Sequence, residues 1–417
     1  MTAPATSTVP LQSPTAAGLG RSHTGLVNDL IAAAELLQSP EAIGLLVAAL
    51  TGSPLAELEG FSADLTNWQY RPGAEVTAGY QVGYPTPGGQ VVEHLFATTA
   101  EVGSPAVTLS RGDLRFGVWR HPDDPMLPGL AAACDPETVL GWLDTTPTAI
   151  DLALIGYRPL RRAVLRVNAD GAVCYLKVLS PARADRLAAR QELLAANGLT
   201  PQGTSRPTAG VLLTPAAAGR PLASLLAGSS DPDLPTPGAL VGLLDRLPAG
   251  LLLLPRRPSW ADRLDFHAAA AVQRLPGSAD RLARLVHRVR RVLETAPVGP
   301  VVPTHGDFYE ANIMVEGPSL QLIDLDAAGP GLREDDLACL LAHLAVLPGL
   351  SPAHYGGVDD IVSTWTGELA RRVDPAALTA RVAAVLVSLV AGGEGDQAEH
   401  RLDLAEAWAG RPAMREP

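Results

Sequence analysis

His305-Gly306-Asp307-Phe308-Tyr309-Glu310-Ala311-Asn312, followed by Ile323-Asp324-Leu325-Asp326, is the stretch on which the reading of this 417-residue chain turns. Asp307 and Asn312 stand five positions apart in one loop, and Asp324 lies twelve positions beyond Asn312. Between them, residues 313–315 and 320–323 read as two short strands joined by Glu316-Gly317-Pro318-Ser319. Such a hairpin folds Asp324 back towards the loop. Three oxygen-bearing side chains then converge on one point. Hard ligands of this kind suit Mg2+, which keeps several waters and takes other ligands from substrate phosphates. Taken singly, each residue is an ordinary loop cap. Taken together, in a loop followed by a hairpin, they point to a phosphate site.

Outward from that stretch, the next signal is a lone amine. Lysine and arginine total 32, yet only Lys177 is a lysine. A chain that uses arginine everywhere else keeps an ammonium where a compact point charge is needed rather than a guanidinium fork. Lys177 sits in Ala172-Val173-Cys174-Tyr175-Leu176-Lys177-Val178-Leu179, an apolar strand where a charge is costly unless paired. The plain alternative is an edge-strand lysine whose stem snorkels. Glu192, fifteen positions on, is the candidate partner. Its helical neighbours are Ala188, Ala189, Ala195 and Ala196, so no cation on its own helix answers its charge. A solvent-facing glutamate is the plain alternative there.

Composition sets the outer limits. A chain of 417 residues exceeds the ~250–300 at which single cores stop growing, so two or three packed domains are expected. The net charge of −12 disfavours nucleic acid and anionic membrane as partners. No uninterrupted apolar run reaches the ~18 residues of a membrane-spanning helix. The first ten residues lack the charged and apolar blocks of a secretory signal. Cys134, Cys174 and Cys339 are odd in number and scattered, which fits a reducing cytoplasm better than a disulfide framework.

Residues 1–25 read as a disordered tail rich in Pro, Ser, Thr, Ala and Gly. Helices over 26–38 and 40–50 lead into hairpins at 79–84 with 91–99 and at 107–110 with 114–119, and a further helix closes this module by 145. A second β region begins near Ile150. It holds a hairpin at 164–167 and 172–179, a helix capped at Ser180, and a strand at 211–214. From there the pattern is helical, near 238–247, 259–275, 278–295, 334–346, 358–372 and 376–391, broken only by the block at 313–325. The fold class is therefore α+β. The expected organisation is a tail (1–25), an N-terminal cap domain (26–145), a small β lobe (146–216) and a helical lobe with the loop (217–417).

The pattern HGD-x4-N followed by ID-x-D resembles that of the aminoglycoside phosphotransferase family, whose two-lobe fold is that of the eukaryotic protein kinases. The resemblance covers residues 146–345 and implies a kinase using ATP and Mg2+ on a small-molecule hydroxyl acceptor: an aminoglycoside, amino sugar or sugar. It implies that Asp307 orients or deprotonates the acceptor hydroxyl, and that Asn312 and Asp324 hold the metal. Lys177, partnered by Glu192, would bind the ATP phosphates. The backbone of Leu212-Leu213-Thr214-Pro215-Ala216, Thr214 and Ala216 above all, would meet the adenine edge. His305 would brace the loop, Asp336 would anchor it, and Asp326 would touch a second metal or hydrogen-bond within the loop.

Several features depart from that pattern or qualify it. Tyr157-Arg158-Pro159-Leu160-Arg161-Arg162, where a glycine-rich phosphate loop belongs, has no glycine. Arg161 or Arg162 could supply charge instead, or face solvent. The β-rich module before the core resembles that of bacterial maltokinases and glucosamine kinases, which commonly carry Gln where this chain has Asn312. Only twelve positions separate Asp324 from Asp336, too few for a peptide-binding platform, so protein-kinase activity is not expected. Glu394, Asp396, Glu399, Asp403 and Glu406 form an acidic stretch that could greet a polycation, though a solvated helix face is its commoner meaning. The missing glycines also leave open a nucleotide-binding regulator that has kept the fold and lost the reaction.

Overall fold

Apolar residues at helical spacing start the fold: Leu30, Ala33 and Leu37 are buried on one face of α1 (His23–Leu37). The computed structural model describes residues 23–51, 61–71, 74–86, 88–227 and 231–411. The expected tail therefore falls outside the described residues as far as position 22. The chain forms two compact units, residues 1–131 and 132–417. Residues 132–145, read from sequence as the end of the cap, cluster with the second unit.

In the first unit α1 and α2 (Pro40–Thr51) cover one face of an antiparallel sheet. Its strands are β1 (Ser62–Arg71), β2 (Glu75–Thr86), β3 (Gly89–Thr98), β4 (Val107–Arg111) and β5 (Leu114–Arg120), in the order β1-β2-β3-β5-β4. Leu30, Leu37 and Leu46 share one core with Val76, Tyr80, Leu95 and Phe116. The two hairpins lie where the sequence places them.

A short helix, α3 (Leu130–Cys134), spans the division between the units, and α4 (Pro136–Leu140) follows, capped by Asp135 Oδ2 accepting from Thr138 N at 2.9 Å. A four-stranded antiparallel sheet follows: β6 (Ile150–Arg158), β7 (Arg162–Ala169), β8 (Ala172–Val178) and β9 (Val211–Pro215). Asp170 and Gly171, at φ of 49° and 92°, make the tight β7–β8 turn. α5 (Pro181–Ala195) connects β8 to β9, burying Ala184, Leu187, Ala188 and Leu194. A three-stranded sheet joins β10 (Arg220–Pro221) to the hairpin formed by β12 and β13, which follow below.

The rest is mainly helical: α6 (Leu222–Leu226), α7 (Pro237–Asp245), α8 (Leu264–Arg274) and α9 (Ala279–Thr295). Then β11 (Val301–Thr304), β12 (Ile313–Glu316), β13 (Ser319–Leu322) and β14 (Gly329–Leu332) frame the loop. Helices α10 (Arg333–Leu350), α11 (Pro352–Tyr355), α12 (Val358–Leu369), α13 (Pro375–Val390) and α14 (Gln397–Ala409) complete it. α13 is buried nearly all round, as its largely apolar sequence requires, and its one charge, Arg381, pairs with Asp335. The acidic stretch, whose commoner reading from sequence is a solvated helix face, does lie mainly on a helix, α14, which buries Ala398, Leu402, Ala405 and Trp408. Sequence missed the β11–β14 ladder because Pro303 lies opposite Pro330, and proline reads as a strand breaker.

The acidic stretch is structural. Arg281 on α9 meets Glu399 at 3.0 Å, Asp403 at 2.6 Å and Glu406 at 2.8 Å, pinning α14 to α9. Among the described residues no single helix is long and apolar enough to cross a membrane. The bent pair over 29–37 and 40–47 passes by length and composition only.

Candidate active site

The loop between β11 and β12 is held from beneath by Asp336. Its two carboxylate oxygens accept the backbone N–H of His305 and of Gly306, each at 2.8 Å. Asp336 is fully buried. Burial pushes its carboxyl up to about 7, although the two N–H groups and Arg333 pull the other way. His305 is buried too, with Nε2 at 3.0 Å from the Ile323 carbonyl, and burial depresses its pKa. A neutral imidazole donating from Nε2 thus ties the loop to the end of β13. Gly306 turns at φ 77°, where a Cβ would stand 2.7 Å from the Ala327 carbonyl oxygen. Only glycine allows that approach.

The β12–β13 hairpin brings its two ends together, with Ile323 N–H donating to the Asn312 carbonyl at 3.1 Å. Asp324 therefore does return to the loop. Its backbone is left-handed at φ 56°, a conformation that aspartate tolerates better than most residues. Asp324 Oδ1 accepts from Lys177 Nζ at 2.8 Å, and the same ammonium binds Asp326 Oδ2. Burial alone would push the Asp324 carboxyl up. Lys177, by its charge and its hydrogen bond, reverses this and holds it well below the carboxylate range.

Lys177, Thr214, Ala216, Asn312 and Asp324 all line one cleft of about 430 Å³, roofed by Ile155, Arg162 and Val164 and floored by Met314, Ile323 and Leu325. Its walls are mainly apolar, with Tyr175, Gln191 and Thr200 adding polar groups, the usual make-up of a small-molecule site. The roof replaces a glycine-rich loop with a turn containing Leu160 at φ 63°, and of the two arginines there it is Arg162 that lines the cleft. On the strand following the cleft, Ala216 N–H already donates to Val173 O at 3.0 Å. Its carbonyl and the amide of Ala217 are the remaining backbone groups there.

Asp307 lines the adjoining pocket with Arg257, Trp260 and Asp335. Its carboxyl is pushed up to about 6 by burial and by Asp324, while Arg257 and Arg162 pull it down. Asn312 Nδ2 donates to the Asp307 carbonyl at 3.0 Å. Its amide oxygen takes no hydrogen bond from the described residues.

Glu192 does not pair with Lys177. It is exposed and forms no ion pair among the described residues, whereas Asp324 and Asp326 hold the ammonium. The pocket-facing position on α5 is one residue earlier. Gln191 lines the cleft and donates to Thr214 Oγ1 at 3.3 Å. Four positions on from buried Leu187 is 191, but buried Ala188 leads to 191 and to 192 alike, so helical spacing by itself does not choose between Gln191 and Glu192.

A Mg2+ ion fits this donor set. Asp324 and Asp326 already converge on one positive charge, and the Asn312 oxygen is unused. Among the described residues no cluster of three or more His, Cys, Asp or Glu forms a closed metal cage. An open two-ligand arrangement is what a metal shared with phosphates requires.

Comparison with known proteins agrees with the loop pattern. Residues 155–365 match the model of the phosphotransferase enzyme family. Similar solved structures include a choline/ethanolamine kinase family protein from Mesorhizobium loti, 17% identical over 67% of this chain and 93% of that one, with a TM-score of 0.45. A thermostable mutant of an aminoglycoside phosphotransferase is 15% identical over 62% of this chain and 94% of that one, with a TM-score of 0.45. An ethanolamine kinase from Plasmodium vivax is 13% identical over 68% and 88%, with a TM-score of 0.41. A search among curated proteins finds no match. On the family match, which spans half its length, the chain belongs to the phosphotransferase enzyme family and is a small-molecule kinase.

Proposed function

We propose that the protein transfers the γ-phosphoryl group of ATP to a hydroxyl of a small molecule. The observation that carries this reading is the meeting of Lys177, Asn312 and Asp324 in one cleft with Asp307 at its border. Adenine lies against Thr214 and Ala216, and Lys177 exchanges its carboxylate partners for ATP phosphate oxygens. Mg2+, held by Asn312 and Asp324, supplies neutralising charge on the phosphates. Asp307 takes the hydroxyl proton as the acceptor oxygen bonds to phosphorus. The bond from the γ-phosphorus to the bridging oxygen breaks, and ADP leaves. His305 and Asp336 position the loop. Glu192 has no part in this reading.

Of the acceptors suggested by sequence, a polycationic aminoglycoside loses its support from the acidic stretch, three of whose carboxylates bind Arg281. Amino sugars and neutral sugars lose nothing by that observation. ADP release measured across sugars, amino sugars, aminoglycosides and hydroxy acids tests the reading. A regulator without transfer, favoured by the glycine-free turn at Leu160, would bind ATP and release no ADP with any of them.

A further inference from the structure

The pocket beside Asp307 is lined with cations. It contains Arg256, Arg257 and Arg263. Arg256 and Arg257 also wall a neighbouring cavity of about 460 Å³, whose other polar lining is Arg183, Arg186, Arg190 and Asp326. Of the acids present, Asp326 is engaged by Lys177 and Asp335 by Arg381 at 2.5 Å; Asp307 forms no ion pair among the described residues, though Arg257 pulls its pKa down. Arg256 is matched by Asp262 at 3.0 Å. Among the described residues Arg186, Arg190 and Arg257 have no carboxylate partner.

Arg190 is the telling member. It is only 6% exposed, and its guanidinium bonds just backbone carbonyls, Ala328 O at 2.7 Å from Nε and Arg186 O at 3.1 Å from Nη1. A buried guanidinium with no ion pair of its own is costly; Asp326, on the same cavity, favours its charge but is bound by Lys177, and Arg257 and Arg186 work against it. In a chain of net charge −12, three arginines without an ion pair, gathered at one cavity and one of them buried, mark the seat of an anion. That seat is distinct from the nucleotide cleft, which none of these three arginines lines. It lies instead on the side of Asp307.

We propose that the acceptor is an anionic alcohol: a hydroxyl compound bearing a carboxylate or phosphate group that rests on Arg186, Arg190 and Arg257 while its hydroxyl faces Asp307. This rests on the kinase reading and specifies its substrate class. Guanidinium forks suit both anions, so the two are separated by experiment.

The test is calorimetric titration of the whole protein with sodium sulfate at constant ionic strength, with and without saturating Mg2+ and the non-hydrolysable analogue AMP-PNP. One saturable sulfate site is expected. It should weaken at least tenfold in Arg257→Ala and in Arg186→Ala, and recover in part in Arg257→Lys. AMP-PNP affinity should change less than twofold in all three. Both arginines are exposed, so the variants should fold. Non-saturable uptake, or equal binding by the variants, overturns the proposal. So does displacement of sulfate by AMP-PNP, since the arginines would then serve the nucleotide. Failure of the unaltered protein to bind AMP-PNP would sink the kinase reading instead, while sulfate still decides the anion site. ADP release then separates the sources, with gluconate as the carboxylate and glucose 6-phosphate as the phosphate. Faster release with glucose or glucosamine than with either anion overturns the assignment.

Discussion

Lys177 Nζ stands 2.8 Å from Asp324 Oδ1, a pair joined across 147 positions of chain and shared with Asp326. The strand β8 delivers the amine and the β12–β13 hairpin delivers the carboxylates. Because Lys177 is the chain's only lysine, it can be followed chemically without interference from other side-chain amines. An amine-acylating reagent should label it alone among internal residues, and MgATP should protect it. Lys177→Ala should weaken nucleotide binding at least tenfold, and Lys177→Arg should not restore it, because a planar fork does not replace a compact ammonium. Peptide mapping and titration check both. Unchanged labelling under saturating MgATP counts against the assignment.

Asp307→Asn keeps the shape of the side chain and removes its basicity. Turnover should fall by roughly 10²–10⁴, the usual worth of a positioned acid–base group. ADP affinity should stay within twofold, since Asp307 does not line the nucleotide cleft. Steady-state rates beside nucleotide titrations separate the two effects. A variant that turns over normally removes Asp307 from the chemistry.

Asp336→Ala orphans the buried N–H groups of His305 and Gly306. Each buried donor left unpaired costs about 1–3 kcal/mol, so the melting temperature should fall by several degrees. Activity should fall further than stability explains, because the loop that carries Asp307 loses its anchor. Thermal unfolding and kcat, measured at a temperature where the variant is folded, distinguish a positioning role from simple destabilisation.

His343 stacks on Tyr309 with ring centroids 4.3 Å apart, and burial with nearby Arg401 lowers its pKa to about 4. Burial, then Arg263, brings His267 to the same value of about 4. An imidazole whose pKa drops on folding is protonated first in the unfolded chain. Its stabilisation is complete above about 6.5, the unfolded value, and is lost as pH falls towards 4. Each group should contribute on the order of 1–3 kcal/mol to acid sensitivity in that window. His343→Phe keeps the stacking and should flatten the decline between pH 6.5 and 4 without changing stability at pH 8. Denaturant unfolding across that range measures it, and an unaltered slope refutes it.

The elements around the site were legible because their signals are local. Asp307, Asn312 and Asp324 share one loop and hairpin, and a single lysine in an apolar strand announces itself. The partner of Lys177 was not legible from sequence. The choice between Glu192 and Asp324 depends on how α5 rotates against the sheet, and alanines at most neighbouring positions leave that rotation undetermined. The arginines were invisible for a related reason. Arg186 and Arg190 lie on α5 while Arg257 lies in a connection some 70 positions away, and only packing brings them to one cavity. The role of the α14 carboxylates was not legible, because only packing shows that three of them bind Arg281 instead of facing solvent.

The nucleotide cleft and the arginine-lined cavity have only Leu187 in common, and the pocket holding Asp307 shares no wall residue with the cleft. Two reactants entering such a molecule need not queue. With ATP in the cleft and the acceptor in the arginine-lined cavity, as proposed, neither would occupy the other's berth, and arrival in either sequence would lead to the same ternary complex. Spent ADP then rivals fresh ATP for its place and leaves the alcohol's entrance open.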